Sequence, residues 1–258
     1  DIFFLGPQTM AVAWTGAWLF TFQIYFDFSG YSDIAVGCAY LLGIRLPRNF
    51  RTPYLSASPR EFWQRWHITL SRWIRDYLYI PLGGGRGSRT RQLVTLLGVM
   101  GLAGLWHGAN LTFVAWGLLW GAYIAVHRLA VALIGRHAAL ATLFARWPMR
   151  VCIYAAHLMV IVCLWVFFRA ENFAVAKAYF AVMFSAPQVP GAEATGVLAG
   201  AAALLLLHRL EAWRPRVATG MRGRRWNKPL AWGFFVGVCL WLVLLPSYTQ
   251  NPFIYFRF

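Results

Sequence analysis

The chain has 258 residues and a formal charge of +16, yet only 12% of it is charged and 60% is hydrophobic. A soluble domain carries roughly 25% charged residues, so the composition excludes an ordinary water-soluble globule. The positive charge lies between apolar runs, with ten Arg in 45–91 and seven Lys or Arg in 209–228. That is how loops facing anionic headgroups are charged, and it argues against a nucleic-acid partner.

In chain order, the opening DIFFLGPQTM has no initiator Met and no charged stretch ahead of an apolar core. It does not read as a signal peptide and is expected to lie inside a longer polypeptide. Residues 10–26 form a first spanning element, and 31–44 a second, shorter one. Between them FDFSGYSD, with Gly30 and its neighbouring hydroxyls, is expected to break the helix. Residues 45–60 carry three prolines and read as a loop. In 61–79, Trp66, Leu70, Trp73 and Tyr77 recur at steps of four, three and four, one face of an amphipathic helix. Arg65, Arg72, Arg75 and Asp76 take the other side, with Glu61–Arg65 and Arg72–Asp76 spaced to pair at i, i+4. Ser58 and Glu61 resemble a capping box, and Pro59 suits a first helical position. Trp on one face and Arg on the other fit a membrane interface.

PLGGGRGSRTR (81–91) reads as a flexible basic turn, followed by only about 14 apolar residues before His107. Such a run is short for the ~30 Å hydrocarbon layer, which places His107 within the membrane thickness. Gly98, Gly101 and Gly104 form a small-residue strip for close helix packing. Residues 111–126, 150–168, about 173–185, 196–208 and 229–245 supply the remaining elements. The fold expected is an all-α integral membrane bundle of six to eight elements with an interfacial helix. Residues 92–126 form either a re-entrant pair or two tilted spans. No internal repeat or soluble domain interrupts 1–258, which is read as one transmembrane region.

An ionisable side chain within a bilayer faces a cavity or a partner and marks function. His127, His137 and His208 end apolar runs beside Arg and suit the interface. His157 reads as a satisfied packing residue. His67, in WQRWHITLS, and His107, in GLWHGAN, differ in their polar and aromatic surroundings. Loss of solvation favours the neutral imidazole that a general base requires; a His that merely bonds Asn110 or a carbonyl is the alternative. Asp27 and Asp33 flank the FSGYS stretch, where an ion pair with Arg45, Arg48 or Arg51 is favoured over catalysis. GGGRGS lacks Walker spacing, so a turn is favoured over a phosphate-gripping site at Gly83, Gly84, Gly85 and Arg86. No metal site is expected, since HExxH, paired Cys and clustered carboxylates are missing. Cys38, Cys152, Cys163 and Cys239 stand alone in apolar runs and read as small buried hydrophobes. There is no GxSxG elbow.

Together YFDFSGYSDIAVG, NFRTPYLSASPREFWQRWHITLSRWIRDYLYIPLGGGRG, GLWHGAN and the terminal NPFIYFRF resemble the membrane-bound O-acyltransferase (MBOAT) family, most of all its alginate O-acetyltransferase branch. Members are about twice as long, and the matching part is their C-terminal half. The resemblance implies a tunnelled multi-helix fold in the bacterial inner membrane, reached by a cytoplasmic donor and an extracytoplasmic acceptor. The family's near-invariant histidine falls on His107, and its second motif histidine on His67. Trp106, Asn110, Asp33, Arg75 and Asp76 stand beside these motifs as supporting positions.

The reaction implied is O-acetylation of an exopolysaccharide such as alginate, with His107 as base or acyl carrier. His67 orients the donor or stabilises the oxyanion, and Asn110 orients His107. The donor is acetyl-CoA or another acyl thioester, and no tightly bound cofactor is expected. Expected partners are membrane lipids, the polysaccharide or a periplasmic acetyltransferase that relays the group, and other exopolysaccharide biosynthesis proteins. D-alanyl-type transfer, a transporter and a scaffold of a secretion complex are the alternatives.

Overall fold

The structure, a computed structural model, describes residues 6–7, 9–186 and scattered positions between 199 and 208. Most of the element at 196–208, the basic stretch 209–228, the span at 229–245, Cys239 and the terminal NPFIYFRF lie outside the described residues. The chain divides into a unit of residues 1–205 and another of 206–258; the first carries both motif histidines. Among the described residues every regular element is helical.

Helix α1, Met10–Leu41, starts where the Thr9 hydroxyl accepts from Val12 N at 3.2 Å. It runs unbroken through FDFSGYSD, where a break was expected. A single helical Gly costs only about 1 kcal/mol, and Gly30 has open space around it, so nothing there forces the chain apart. The helix stops at Gly43, whose φ of +77° lets Ile44 N reach Ala39 O at 2.9 Å and Gly43 N reach Tyr40 O at 3.1 Å. Those two bonds make a Schellman close.

After a short 3₁₀ turn at Pro53–Leu55, α2 spans Pro59–Arg65 with Pro59 in its first turn. Ser58 Oγ accepts from Glu61 N at 3.2 Å, while the Glu61 carboxylate accepts from Ala57 N at 2.7 Å, one residue further out than in a capping box. Glu61 pairs with Arg65, as the spacing predicts.

The single helix expected over 61–79 is divided. Trp66 is extended, His67 is left-handed at φ +40°, α3 covers Ile68–Trp73, and a wider π turn follows at Ile74–Tyr79. The cause is tertiary. Arg51 N donates to Arg65 O and Ile68 N to Asn49 O, both at 2.9 Å, so the 49–51 segment takes backbone groups that a continuous helix would use. The apolar stripe splits accordingly: Trp66 is buried, while Trp73 and Tyr77 stack on each other at 5.7 Å in exposed positions. The π turn also changes the ion pair. Asp76 accepts from Arg75 Nε at 2.7 Å and Arg75 Nη2 at 3.0 Å, rather than pairing with Arg72.

Helices α4 (Arg89–Trp106) and α5 (Leu111–Ile134) form a hairpin joined by HGAN. A Cβ on Gly104 would stand 2.8 Å from the Phe113 carbonyl carbon, and one on Gly117 2.9 Å from that of Met100. Gly101 and Gly121 each meet a Leu side chain at 3.1 Å, whereas Gly98 faces open space. The expected strip is therefore Gly101 and Gly104, answered by Gly117 and Gly121 on the partner helix.

Helix α6 (Ala138–Ala145) leads into α7 (Trp147–Arg169), and Asn172 caps α8 (Phe173–Met183). α5 packs on α7, and α1 packs on both α7 and α8. Among the described helices α5 and α7 combine the length and apolar composition needed to cross a bilayer. Trp14 Nε1 donates to Met183 O at 3.0 Å, and Tyr179 OH to Ala13 O at 2.6 Å, fastening α8 to α1. The centre is aromatic: Phe62, Trp66, Trp120, Trp165 and Phe168 are buried and in mutual ring contact. Buried Tyr54 donates to Thr21 O at 3.0 Å and accepts from Trp165 Nε1 at 3.1 Å. His157 is buried, with Ser56 Oγ 3.1 Å from Nε2 and Tyr123 OH 2.7 Å from Nδ1; both ring nitrogens have partners, as a packing histidine requires.

Candidate active site

His107 sits where α4 ends. Its backbone N–H donates to Gly104 O at 3.0 Å, closing the last turn. Gly108 follows at φ +157°, and a Cβ there would lie 2.9 Å from the Phe113 ring, so a side chain at 108 would displace one wall of the site. Asn110 then opens α5: its Oδ1 accepts from Thr112 N at 3.1 Å and its Nδ2 donates to Glu171 O. Thr112 Oγ1 adds a bond to Ala170 O at 3.1 Å. Two short connections thus anchor the HGAN loop to the end of α7.

Three helices surround the His107 ring with aromatics. Trp106 of α4, Trp116 of α5 and Phe168 of α7 lie edge-to-face at 5.0, 5.3 and 5.1 Å, with Phe113 at 6.3 Å. The ring is partly buried rather than sealed.

His67 enters from the other side. Its left-handed backbone, between α2 and α3, turns the ring toward Phe28 of α1 at 4.6 Å and toward Trp106 at 6.4 Å. Its Nδ1 is 3.2 Å from Asn49 Oδ1, an oxygen that also accepts from Thr69 N at 3.1 Å and Thr69 Oγ1 at 2.9 Å. Burial among these rings pushes the His67 imidazole down to about 4, so it is uncharged at neutral pH. His67 and His107 are near enough for a charge on one to act on the other. The Trp106 indole touches both and is itself 59% exposed. Two motifs far apart in sequence thus supply two imidazoles flanking one indole, in surroundings of low polarity that strengthen the hydrogen bonds the rings make.

The other expected positions differ in their surroundings. Asp33 is exposed on α1. Arg75 and Asp76 engage each other on the exposed π turn, and the guanidinium holds the Asp76 carboxyl below its ordinary range. In the glycine turn, Gly83 N, Gly84 N and Arg86 N donate to Ile80 O, Tyr79 O and Gly83 O at 3.1, 2.7 and 2.9 Å. Those amides close the turn on itself, Gly85 has nothing close to it, and Arg86 is exposed. Asn110 has its amide engaged at both ends, so it fixes the loop that carries His107.

Sequence reasoning did not single out Asn49, Phe28, Phe168 or the Gly117–Gly121 pair. The glycines had a signal, since their spacing is the small-xxx-small pattern of close helix contact. Asn49, Phe28 and Phe168 reach the site only through tertiary folding.

The model of the membrane-bound O-acyltransferase family matches residues 4–170. A protein of Azotobacter vinelandii named probable alginate O-acetylase is 48% identical over 183 residues, covering 71% of this chain and 35% of the relative. One of the same name from Pseudomonas putida is 36% identical over 279 residues, 99% of this chain and 55% of the relative. A peptidoglycan O-acetyltransferase of Helicobacter pylori is 49% identical over 116 residues, 45% of this chain and 22% of the relative. The chain therefore spans between about a third and about half of the alginate O-acetylase relatives it matches.

Proposed function

The chain belongs to the membrane-bound O-acyltransferase family, and from that premise we propose that it moves an acetyl group from an acyl thioester, acetyl-CoA, to hydroxyls of an exopolysaccharide. Alginate is the leading acceptor, because the relatives matched over most of the chain are named for it. Delivery is either direct or through a periplasmic acetyltransferase, from a multi-pass position in the bacterial inner membrane.

The observation that carries this reading is the pairing of His67 and His107 across Trp106. In the chemistry proposed, His107 takes the proton from an acceptor hydroxyl, whose oxygen attacks the thioester carbonyl. The tetrahedral intermediate expels the thiolate, which recovers the proton from the imidazolium, leaving an ester and a free thiol. The alternative route passes the acetyl group through a His107 acyl-imidazole, with the same products. The aromatic wall keeps water from the thioester and strengthens polar interactions in the site.

The test is to give membranes radiolabelled acetyl-CoA with alginate, cellulose or peptidoglycan glycan, comparing wild type with His107→Ala. Label should enter one polymer as alkali-labile ester in wild type and be lost in the variant. Wild-type incorporation by His107→Ala would overturn the assignment. Solute uptake in proteoliposomes without any covalent product would favour a transporter instead.

A further inference from the structure

We infer that Asn49 is a positioning residue of this site: it holds His67 as the Nδ1–H tautomer and thereby makes His67 Nε2 a hydrogen-bond acceptor. The argument begins with the orientation of the Asn49 amide. A backbone N–H can only donate, and Thr69 N is 3.1 Å from Oδ1, so the oxygen end of the amide faces this cluster. Thr69 Oγ1, 2.9 Å away, donates to the same oxygen. His67 Nδ1, 3.2 Å away, therefore faces an acceptor and must carry the ring proton. A neutral imidazole has one N–H, so Nε2 is left with its lone pair.

Asn49 also holds the backbone that aims the ring. Ile68 N donates to Asn49 O at 2.9 Å, and this bond abuts the left-handed turn at His67. A non-glycine residue in that conformation is strained and persists only where its surroundings over-determine it. One residue, through carbonyl and side chain together, sets both the direction and the protonation of the imidazole.

The consequence for chemistry is specific, and it rests on the acyl-transfer reading of the site. With Nε2 unprotonated, neutral His67 does not donate to a developing oxyanion; it accepts a hydrogen bond from the incoming hydroxyl or from an N–H of His107. The two imidazoles then share proton handling, and oxyanion stabilisation falls to other donors.

The experiment is ¹⁵N NMR of the full-length protein labelled at histidine in nanodiscs, with His67 signals identified by their loss in His67→Gln. At neutral pH the wild type should show a protonated Nδ1 and an unprotonated Nε2. Asn49→Asp keeps the acceptor, so it should keep the tautomer and move the acid limb of the transfer rate up by about one pH unit or more. Asn49→Ala should mix the tautomers and lower transfer by about 10²-fold; if it fails to fold, the wild-type and Asn49→Asp spectra decide. A protonated Nε2 in the wild type overturns the inference, as does an Asn49→Ala protein with unchanged tautomer and rate. The expected tautomer in a protein that acetylates no polymer would sink the acyl-transfer reading and leave the Asn49 assignment standing.

Discussion

The α4–α5 contact offers a sharp test, because one methyl group should act at two levels. In Gly104→Ala the new Cβ would lie 2.8 Å from the Phe113 carbonyl carbon, and in Gly117→Ala 2.9 Å from that of Met100. Ordinary contact begins near 3.4 Å, and both obstructions are backbone rather than movable side chain. The helices must separate by on the order of 1 Å, an overpacking cost of roughly 1–3 kcal/mol. Because His107 terminates α4 three residues beyond Gly104, the ring moves with its helix, and a displacement of ~1 Å at a reactive group can cost ~10²-fold in rate. Gly98→Ala is the control: it adds the same methyl to the same helix, but into open space, and should be neutral or stabilise by up to about 1 kcal/mol. The assays are thermal unfolding in detergent and labelled acetyl transfer. Equal behaviour of the three variants would refute the packing argument, and a destabilised Gly104→Ala protein with full transfer would refute the link to His107.

Tyr54→Phe removes the hydroxyl shared by Thr21 O and Trp165 Nε1 and should cost about 1–3 kcal/mol, read as a lower unfolding temperature. Asn110→Ala loses both the α5 cap and the tie to Glu171 O, which should cost about 1–2 kcal/mol; Asn110→Asp keeps the cap oxygen but sets a carboxylate oxygen against Glu171 O in place of the amide donor, so it should recover only part of that stability. Acid should destabilise the protein through His67. Its folded value of about 4 lies below the ordinary 6.5, so the unfolded chain takes up the proton first, and the contribution, complete above pH 6.5, is lost as pH falls toward 4. The loss is at most about 3 kcal/mol, and His67→Gln should flatten that part of the stability profile.

Local chemistry was well expressed in the sequence. Ser58 and Pro59 start α2 and Glu61 pairs with Arg65 as their spacing predicts, and α4 stops at Trp106, with His107 capping its end. The readings that changed did so at identifiable places. FDFSGYSD suggested a break, but Gly30 meets no obstacle and the helix continues to the left-handed stop at Gly43. The 61–79 periodicity suggested one helix, but bonds from the 49–51 segment divide it at His67. That division brings Asn49 to Nδ1 and the ring toward Trp106. Periodicity describes neighbours along a helix; a contact between residues 49 and 67 belongs to the folded chain, so Asn49 was not legible from spacing.

Met100, Gly101 and Gly104 of α4 lie directly against Phe113 and Gly117 of α5, and the loop between them is fastened to the tip of α7. Such a hairpin has no slack for hinging, so His107 travels only with the whole scaffold. Trp106, the ring against both imidazoles, is more than half exposed, so it is the member of this cluster able to change rotamer on the nanosecond scale of exposed side chains while the backbone that carries His107 stays in place.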